Sequence, residues 1–147
     1  MIELTVTTDI DRPVGDVYAY VIDPEKLPTW QRNTVSVRQE GDGPLRVGTR
    51  LHEVHKGPRG RELASLVEVS ELEQDRALGL RMLEGPLPVH AHIAFEPTAT
   101  GTRMAFTAHG EPPGAMRLAQ PLLRVALRRQ FAEHCRNLKQ VMEDRAG

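Results

Sequence analysis

The sequence predicts an α+β fold in which a curved antiparallel sheet wraps around one long C-terminal helix. Three observations predict it: an alternating segment at residues 2–10, a run of alternating segments from residue 34 to residue 110, and helical spacing from about residue 115 to residue 144. A sheet with one apolar face and a helix with one apolar stripe must each be covered. The economical solution is that each covers the other.

The first half of this pattern is a strand followed by two short helices. Residues 2–10 (IELTVTTDI) place apolar side chains on alternate positions, which is typical of a half-buried strand. Residues 11–23 then change to a helical stripe, and Pro24 and Pro28 restrict the segment 24–30 to a short helix or turn that ends at Trp30.

Six further strands follow, with Gly, Pro or Asp at nearly every junction, as hairpin turns require. Such consecutive strands indicate an antiparallel meander. Their predicted ranges are 34–39, 47–56, 61–73, 77–83, 89–97 and 102–110.

The C-terminal segment has apolar residues three or four positions apart, and Pro121 predicts a kink or a new start within it. The complete predicted order is β-α-α-β6-α. The inward stripe of this segment consists of Met116, Gln120, Leu123, Leu127, Phe131, His134, Leu138 and Val141.

Composition predicts one domain, residues 1–147, and excludes several classes of partner. With 19 basic and 20 acidic residues the net charge is −1, so neither nucleic acid nor an anionic membrane is an expected partner. A single cysteine, Cys135, permits no internal disulfide, and no segment approaches the roughly 20 apolar residues of a membrane span. The N-terminus lacks a signal-peptide pattern. We therefore expect a cytoplasmic protein, as a monomer or homodimer.

Several quoted segments carry a family resemblance: residues 5–30 (TVTTDIDRPVGDVYAYVIDPEKLPTW), 47–51 (VGTRL), 66–81 (LVEVSELEQDRALGLR) and 95–107 (FEPTATGTRMAFT). Together with the closing helix they resemble the START-like or Bet v 1-like superfamily (SRPBCC), in particular its polyketide cyclase/dehydrase-type members. The resemblance covers essentially the whole chain and implies a helix-grip fold with a hydrophobic cavity between sheet and helix. The superfamily shares no universal catalytic motif, so fold alone does not give function.

Strand and helix periodicity predict which side chains meet a ligand in such a cavity. Trp30, near the expected mouth, either stacks on a ligand or plugs the end of the barrel. The predicted ligand-binding residues are Trp30, Leu51, Ser65, Val67, Leu80, Met82, Ala91, Ile93, Met104, Phe106, Met116, Gln120, Leu123 and Leu127.

Glu53 and His55 are the candidate catalytic residues, because they lie on the apolar face of their strand, about 7 Å apart at Cα. Burial would keep a proton on the glutamate, and a nearby histidine would favour its charged form; either shift supports acid–base chemistry. Alternatively both lie at a wet rim, or a bulge turns them outward.

No metal or cofactor site is predicted. The HEVH segment at 52–55 is not a zinc motif, since on a strand His52 and His55 fall on opposite faces. His90 and His92 share a face that should be solvated, and His134 and Cys135 are expected to be structural.

The sequence therefore predicts a protein that binds a hydrophobic, lipid- or polyketide-like small molecule, oriented by Glu53, His55, Ser65 and Gln120. One alternative is a polyketide aromatase/cyclase or dehydratase that uses Glu53 and His55. Another is an interaction module whose cavity is closed by large side chains.

Overall fold

The computed structural model describes residues 1–86, 88–112 and 114–144, and in these ranges the chain forms one seven-stranded antiparallel sheet of order β1-β7-β6-β5-β4-β3-β2. The predicted domain of residues 1–147 includes positions 87, 113 and 145–147, which lie outside the described residues. The predicted fold class is confirmed. The strands are β1 (Ile2–Ile10), β2 (Thr34–Gln39), β3 (Arg50–Lys56), β4 (Glu62–Glu73), β5 (Ala77–Glu84), β6 (Val89–Pro97) and β7 (Thr102–Gly110).

Two short helices separate β1 from β2, as predicted. Helix α1 spans Val14–Val21, and a 3-10 turn at Pro24–Lys26 leads into α2, Leu27–Trp30. The long helix α3 spans Gln120–Asp144 and is preceded by a 3-10 segment, Gly114–Ala119. Pro121 lies in the first turn of α3, where a missing backbone N–H breaks no helical hydrogen bond. The predicted new start at this proline is therefore present.

Helix α3 seals the free edge of β1 with a ladder of side-chain donors. Gln120 Nε2, Arg124 Nε and Arg128 Nη1 donate to the carbonyl oxygens of Met1, Glu3 and Thr5 at 2.6, 3.2 and 3.3 Å. Farther along, Lys139 Nζ donates to Asp9 O at 2.8 Å. Four helical residues advance about 6 Å and two strand residues about 7 Å, so the two spacings nearly match. The ladder occupies an edge that would otherwise present unpaired carbonyls.

The main core lies between the second half of α3, helix α1 and the sheet. Leu138 and Met142 of α3 are fully buried there with Val17 of α1, Trp30 and Met104. A smaller cluster lies at the other end of the sheet, where Ile2, Leu4 and Ala108 are buried against Leu123, Leu127 and Phe131. Within the described ranges, no helix is long and apolar enough to cross a membrane.

Candidate ligand cavity

A cavity of about 360 Å³ lies between the curved sheet and the middle of α3. Its apolar wall comes from four strands (β4 to β7), from α2, from the β5–β6 connection and from the face of α3 that meets the sheet. A volume of this size and a mostly apolar lining are typical of small-molecule sites. The apolar lining residues are Leu27, Leu63, Val67, Leu80, Met82, Pro86, Val89, Ala91, Phe106, Leu127 and Phe131.

Polar side chains in the lining include an acid–base pair on β3. Glu53 and His55 share one face of the strand, and His55 Nε2 lies 3.4 Å from Glu53 Oε1. Burial raises the pKa of Glu53 to about 7 and lowers the pKa of His55. Loss of hydration disfavours the charged form of each group, which explains why the two shifts have opposite directions. Near neutral pH the glutamate therefore exchanges a proton readily beside a neutral imidazole.

His134 approaches the same cavity from α3. Its ring is buried and meets the Trp30 ring edge-on, with centroids 6.3 Å apart. Burial, and secondarily the charge on His55, lowers the pKa of His134 to about 4. Its imidazole is therefore neutral at physiological pH, with one nitrogen available as an acceptor.

Two buried polar atoms on cavity-lining residues have no hydrogen-bond partner in the described part of the chain: Asn33 Oδ1 and His134 Nδ1. Asn33 is held at the end of β3 because its carbonyl oxygen accepts from the Lys56 backbone N–H at 2.7 Å. Buried polar atoms in folded proteins are nearly always paired with protein or ordered water. The unpaired atoms mark a polar region that a bound molecule could complete.

The structure brings many of the predicted site residues together and separates the others. Both predicted catalytic residues line the cavity, so they lie neither at a fully wet rim nor on the outer face. The predicted ligand-binding residues that also line it are Ser65, Val67, Leu80, Met82, Ala91, Phe106 and Leu127.

Trp30, Leu51, Ile93 and Met104 do not line the described cavity, although their strands and helix face the interior as predicted. Each is buried, with 5% exposure or less, and Trp30, Ile93 and Met104 belong to the main core beside α1 and the second half of α3. Trp30 packs edge-on to Phe106, with ring centroids 6.5 Å apart, inside the main core. These positions face the cavity side of the sheet but lie where other side chains fill the space.

Met116, Gln120 and Leu123 also lie outside the described cavity wall. Met116 belongs to the 3-10 segment before α3, so the predicted helical phase does not apply to it. Gln120 donates to Met1 O at the edge of β1 and not to a ligand site. Leu123 packs against the Ile2, Leu4 and Ala108 cluster.

Several lining residues had no place in the predicted ligand-binding set. Four of them lie on the strand faces and helix stripe that periodicity identified, so the sequence pattern already indicated their orientation. These are Leu63, Val89, Phe131 and His134. The others lie at the ends of short elements, in connections or on the flank of α3, where periodicity gives little guidance. This second group consists of Leu27 of α2, Gln31 and Asn33 of the α2–β2 connection, Lys56 at the end of β3, Gly57 after it, Pro86 of the β5–β6 connection and Gln130 of α3.

The remaining histidines and the cysteine lie away from the cavity lining. His52 faces outward and pairs with Glu40, as strand alternation requires. Cys135 is buried, and burial raises the pKa of its thiol to about 12. Among the described residues there is no group of three or more His, Cys, Asp and Glu side chains that could hold a metal ion.

Solved structures share this architecture at low sequence identity. TTHA0849 from Thermus thermophilus matches with a TM-score of 0.83 and 19% identity over 99% of both chains. The di-domain ARO/CYC StfQ of the steffimycin biosynthetic pathway matches with a TM-score of 0.81 and 20% identity, over 99% of this chain and 52% of StfQ. SA2116 from Staphylococcus aureus, a protein of unknown function, matches with a TM-score of 0.77 and 14% identity, over 99% of this chain and 95% of SA2116. At these identities the likeness establishes the fold.

The sequence itself supplies the family. No curated protein matches the chain. The model of the family described as "Polyketide cyclase / dehydrase and lipid transport" matches residues 1–143, almost the entire length. With the helix-grip architecture, this confirms the resemblance carried by the quoted segments. The chain belongs to the polyketide cyclase/dehydrase and lipid transport family.

Proposed function

We propose that this protein binds a hydrophobic small molecule, lipid- or polyketide-like, in the cavity between the curved sheet and α3. The observation that carries the proposal is the 360 Å³ cavity itself, which is partly open to solvent and walled by aliphatic side chains and two phenylalanines. Small-molecule sites are concave and mostly apolar. A cavity of this size and lining supports a small-molecule ligand and argues against a closed-cavity interaction module.

The apolar wall would supply affinity by removing ligand surface from water, at about 25 cal/mol per Å². Met82 and the leucines adapt to more than one ligand shape, which suits a flexible chain. The polar residues at Asn33, Glu53 and His55 would fix which end of the molecule enters. Family membership agrees with this role at the level of a hydrophobic or polyketide-related ligand.

Filling the cavity tests the proposal directly. Ala91 of β6 lines the cavity, whereas Ala94, three residues along the same strand, faces the opposite side of the sheet. We expect Ala91→Phe to weaken binding of the uncharged dye N-phenyl-1-naphthylamine at least tenfold, and Ala94→Phe to leave it unchanged. Native mass spectrometry and solvent extraction of the freshly purified protein would identify a copurified ligand. Equal binding by both variants would overturn the proposal.

A second function, acid–base catalysis, is favoured by one observation: the 3.4 Å approach of His55 to a glutamate whose pKa is raised to about 7. A general base works best when its pKa lies near the operating pH. An aromatase/cyclase or dehydratase would use such a pair to move a proton on a bound ketone. Solvent deuterium should then enter the α-carbon of benzoylacetone faster with the wild type than with Glu53→Gln. Identical rates would exclude this role for Glu53.

A further inference from the structure

The charges of the polar side chains that line the cavity restrict which polar group a ligand can place there. The titratable groups that line it are Glu53, His55, Lys56 and His134. The Lys56 side chain is exposed to solvent, whereas Glu53 and His134 are each less than 10% exposed. The buried part of the site therefore contains an acid and imidazoles but no permanently cationic side chain among the described lining residues.

From these groups we infer that the bound molecule is uncharged and places an alcohol or phenol hydroxyl at the polar end of the cavity. The inference rests on the proposed binding function and names the chemical class of its ligand. Two alternative polar groups, a carboxylate and an ammonium, fit the site less well than a hydroxyl does.

A carboxylate does not fit the site. It has only acceptor oxygens, so it could not pair with Asn33 Oδ1, which is itself an acceptor. Burial lowers the pKa of both His55 and His134, so neither imidazole is charged at neutral pH to compensate. An anion would lose its hydration without gaining a buried cationic partner.

An ammonium group fits less well than a hydroxyl, although it could donate to Asn33 Oδ1. Its charge would require Glu53 to be ionised, in a site where burial raises the pKa of that carboxyl to about 7. Two charges would then leave water together, and the desolvation penalty of such a buried pair commonly exceeds its attraction.

A hydroxyl satisfies the site because it both donates and accepts. It can donate to Asn33 Oδ1, which otherwise has no partner among the described residues, and accept from the protonated Glu53 carboxyl or from an imidazole N–H. The rest of the molecule then contacts the aliphatic wall formed by Leu63, Val67 and Leu80. A ligand of this kind pairs Asn33 Oδ1 without introducing charge.

A series of decyl compounds that differ only at the polar end tests the inference. Displacement of N-phenyl-1-naphthylamine near pH 7 would be compared for 1-decanol, 1-methoxydecane, decanoate and decylammonium. The methyl ether accepts hydrogen bonds but cannot donate them. We expect 1-decanol to bind about 3- to 10-fold more tightly than the ether, the range of one neutral hydrogen bond, and both charged compounds to bind more weakly than the ether.

Matched variants locate the effect. Asn33→Leu should abolish the preference for 1-decanol over the ether. Thr34→Val removes a neighbouring buried hydroxyl that also has no partner in the described ranges but does not line the cavity, so the preference should remain. If Asn33→Leu does not fold, His134→Leu takes its place, with a reduced preference expected.

The outcomes separate this inference from the proposed function. The hydroxyl assignment is overturned if the ether binds as tightly as 1-decanol or more tightly, or if either charged compound binds more tightly than 1-decanol. A hydrophobic site would remain in both cases. If neither the dye nor any decyl compound binds the wild-type protein, the proposed function and this inference fail together.

Discussion

The two halves of α3 are attached to the protein by different means. In the second half, residues 132–144, the buried side chains are His134, Cys135, Asn137, Leu138 and Met142. In the first half, residues 120–131, every position is described and none is fully buried. That half is attached by its donor ladder to β1 and by partly buried contacts of Leu123, Leu127 and Phe131.

The second half of α3 anchors the helix in the core, and the first half forms part of the cavity wall. The second half is part of the main core and anchors the helix, and Asn137 Nδ2 donates to Trp30 O at 3.2 Å to join it to α2. The first half contributes Leu127, Gln130 and Phe131 to the cavity and leaves Leu122 and Val125 in solvent. Low local burial makes local opening easier. The first half, which forms part of the cavity wall, is therefore the less firmly held half.

The largest expected effect compares a leucine from each half. Leu138 is fully buried, whereas Leu122 is 74% exposed. We expect Leu138→Ala to lower the free energy of unfolding by about 2–5 kcal/mol, as buried leucine truncations do. Leu122→Ala should change it by no more than about 0.5 kcal/mol. Urea unfolding of both variants measures this, and losses of similar size would refute the division of α3.

The next effect is the pH dependence of the free energy of unfolding that arises from two buried groups of the cavity, Glu53 and His134. The pKa of Glu53 is raised from 4.5 to about 7, so its contribution is present below about pH 4.5 and is lost as pH rises to 7. The pKa of His134 is lowered from 6.5 to about 4, so its contribution is present above pH 6.5 and is lost as pH falls to 4. Over its whole pH window, each group changes the free energy of unfolding by about 3 kcal/mol.

These two contributions oppose each other between pH 4.5 and 6.5, and single variants should separate them. Glu53→Gln should become more stable, relative to wild type, as pH rises through this window. His134→Leu should show the reverse trend. Urea unfolding at several pH values provides the comparison, and parallel profiles for the two variants would show that burial does not control these groups.

A smaller effect is expected from the donor ladder. Replacing Arg124 and Arg128 by Met keeps the aliphatic stems and removes the hydrogen bonds to Glu3 O and Thr5 O. We expect a loss of stability of about 1 kcal/mol, since exposed hydrogen bonds contribute little, with several-fold faster amide exchange in residues 120–131. Arg129→Met, on the exposed side of the same half, is the control. Equal acceleration by the control would contradict a holding role for the ladder.

The smallest effect should come from the equivalent change in the anchored half. Lys139 donates to Asp9 O and pairs with Glu143 at 2.6 Å on the surface. Lys139→Met should alter stability by about 0.5 kcal/mol or less. Amide exchange in residues 132–144 should not change, because buried side chains hold that half. Faster exchange there would mean that the ladder, and not burial, secures both halves.

The sequence predicted the fold well because each element has a strong local signal. The ranges of β1, β2, β6 and β7 were predicted without error, and β5 within one residue. The start of β3 was placed three residues early, because alternation continues through Val47, Gly48 and Thr49. Turn residues and alternation are local properties, which is why single-sequence patterns identify them.

The cavity was harder to predict, because alternation identifies the face of a strand but not the depth along it. Ala91 and Ile93 share a face of β6, yet Ala91 lines the cavity and Ile93 is in the packed core. Which end of the sheet is filled depends on where α1, Trp30 and Leu138 pack, and those are long-range contacts. Asn33 lies in a connection, where neither strand nor helix period gives an orientation.

The most direct test of the central claim is amide hydrogen exchange of α3 with and without 1-decanol. If a small molecule occupies the cavity under the first half of the helix, exchange in residues 120–131 should slow several-fold. Exchange in residues 138–144, which include the buried Leu138 and Met142 and do not line the cavity, should remain the same. No protection anywhere, or equal protection of both halves, would contradict the account of α3 as an anchor joined to a cavity wall.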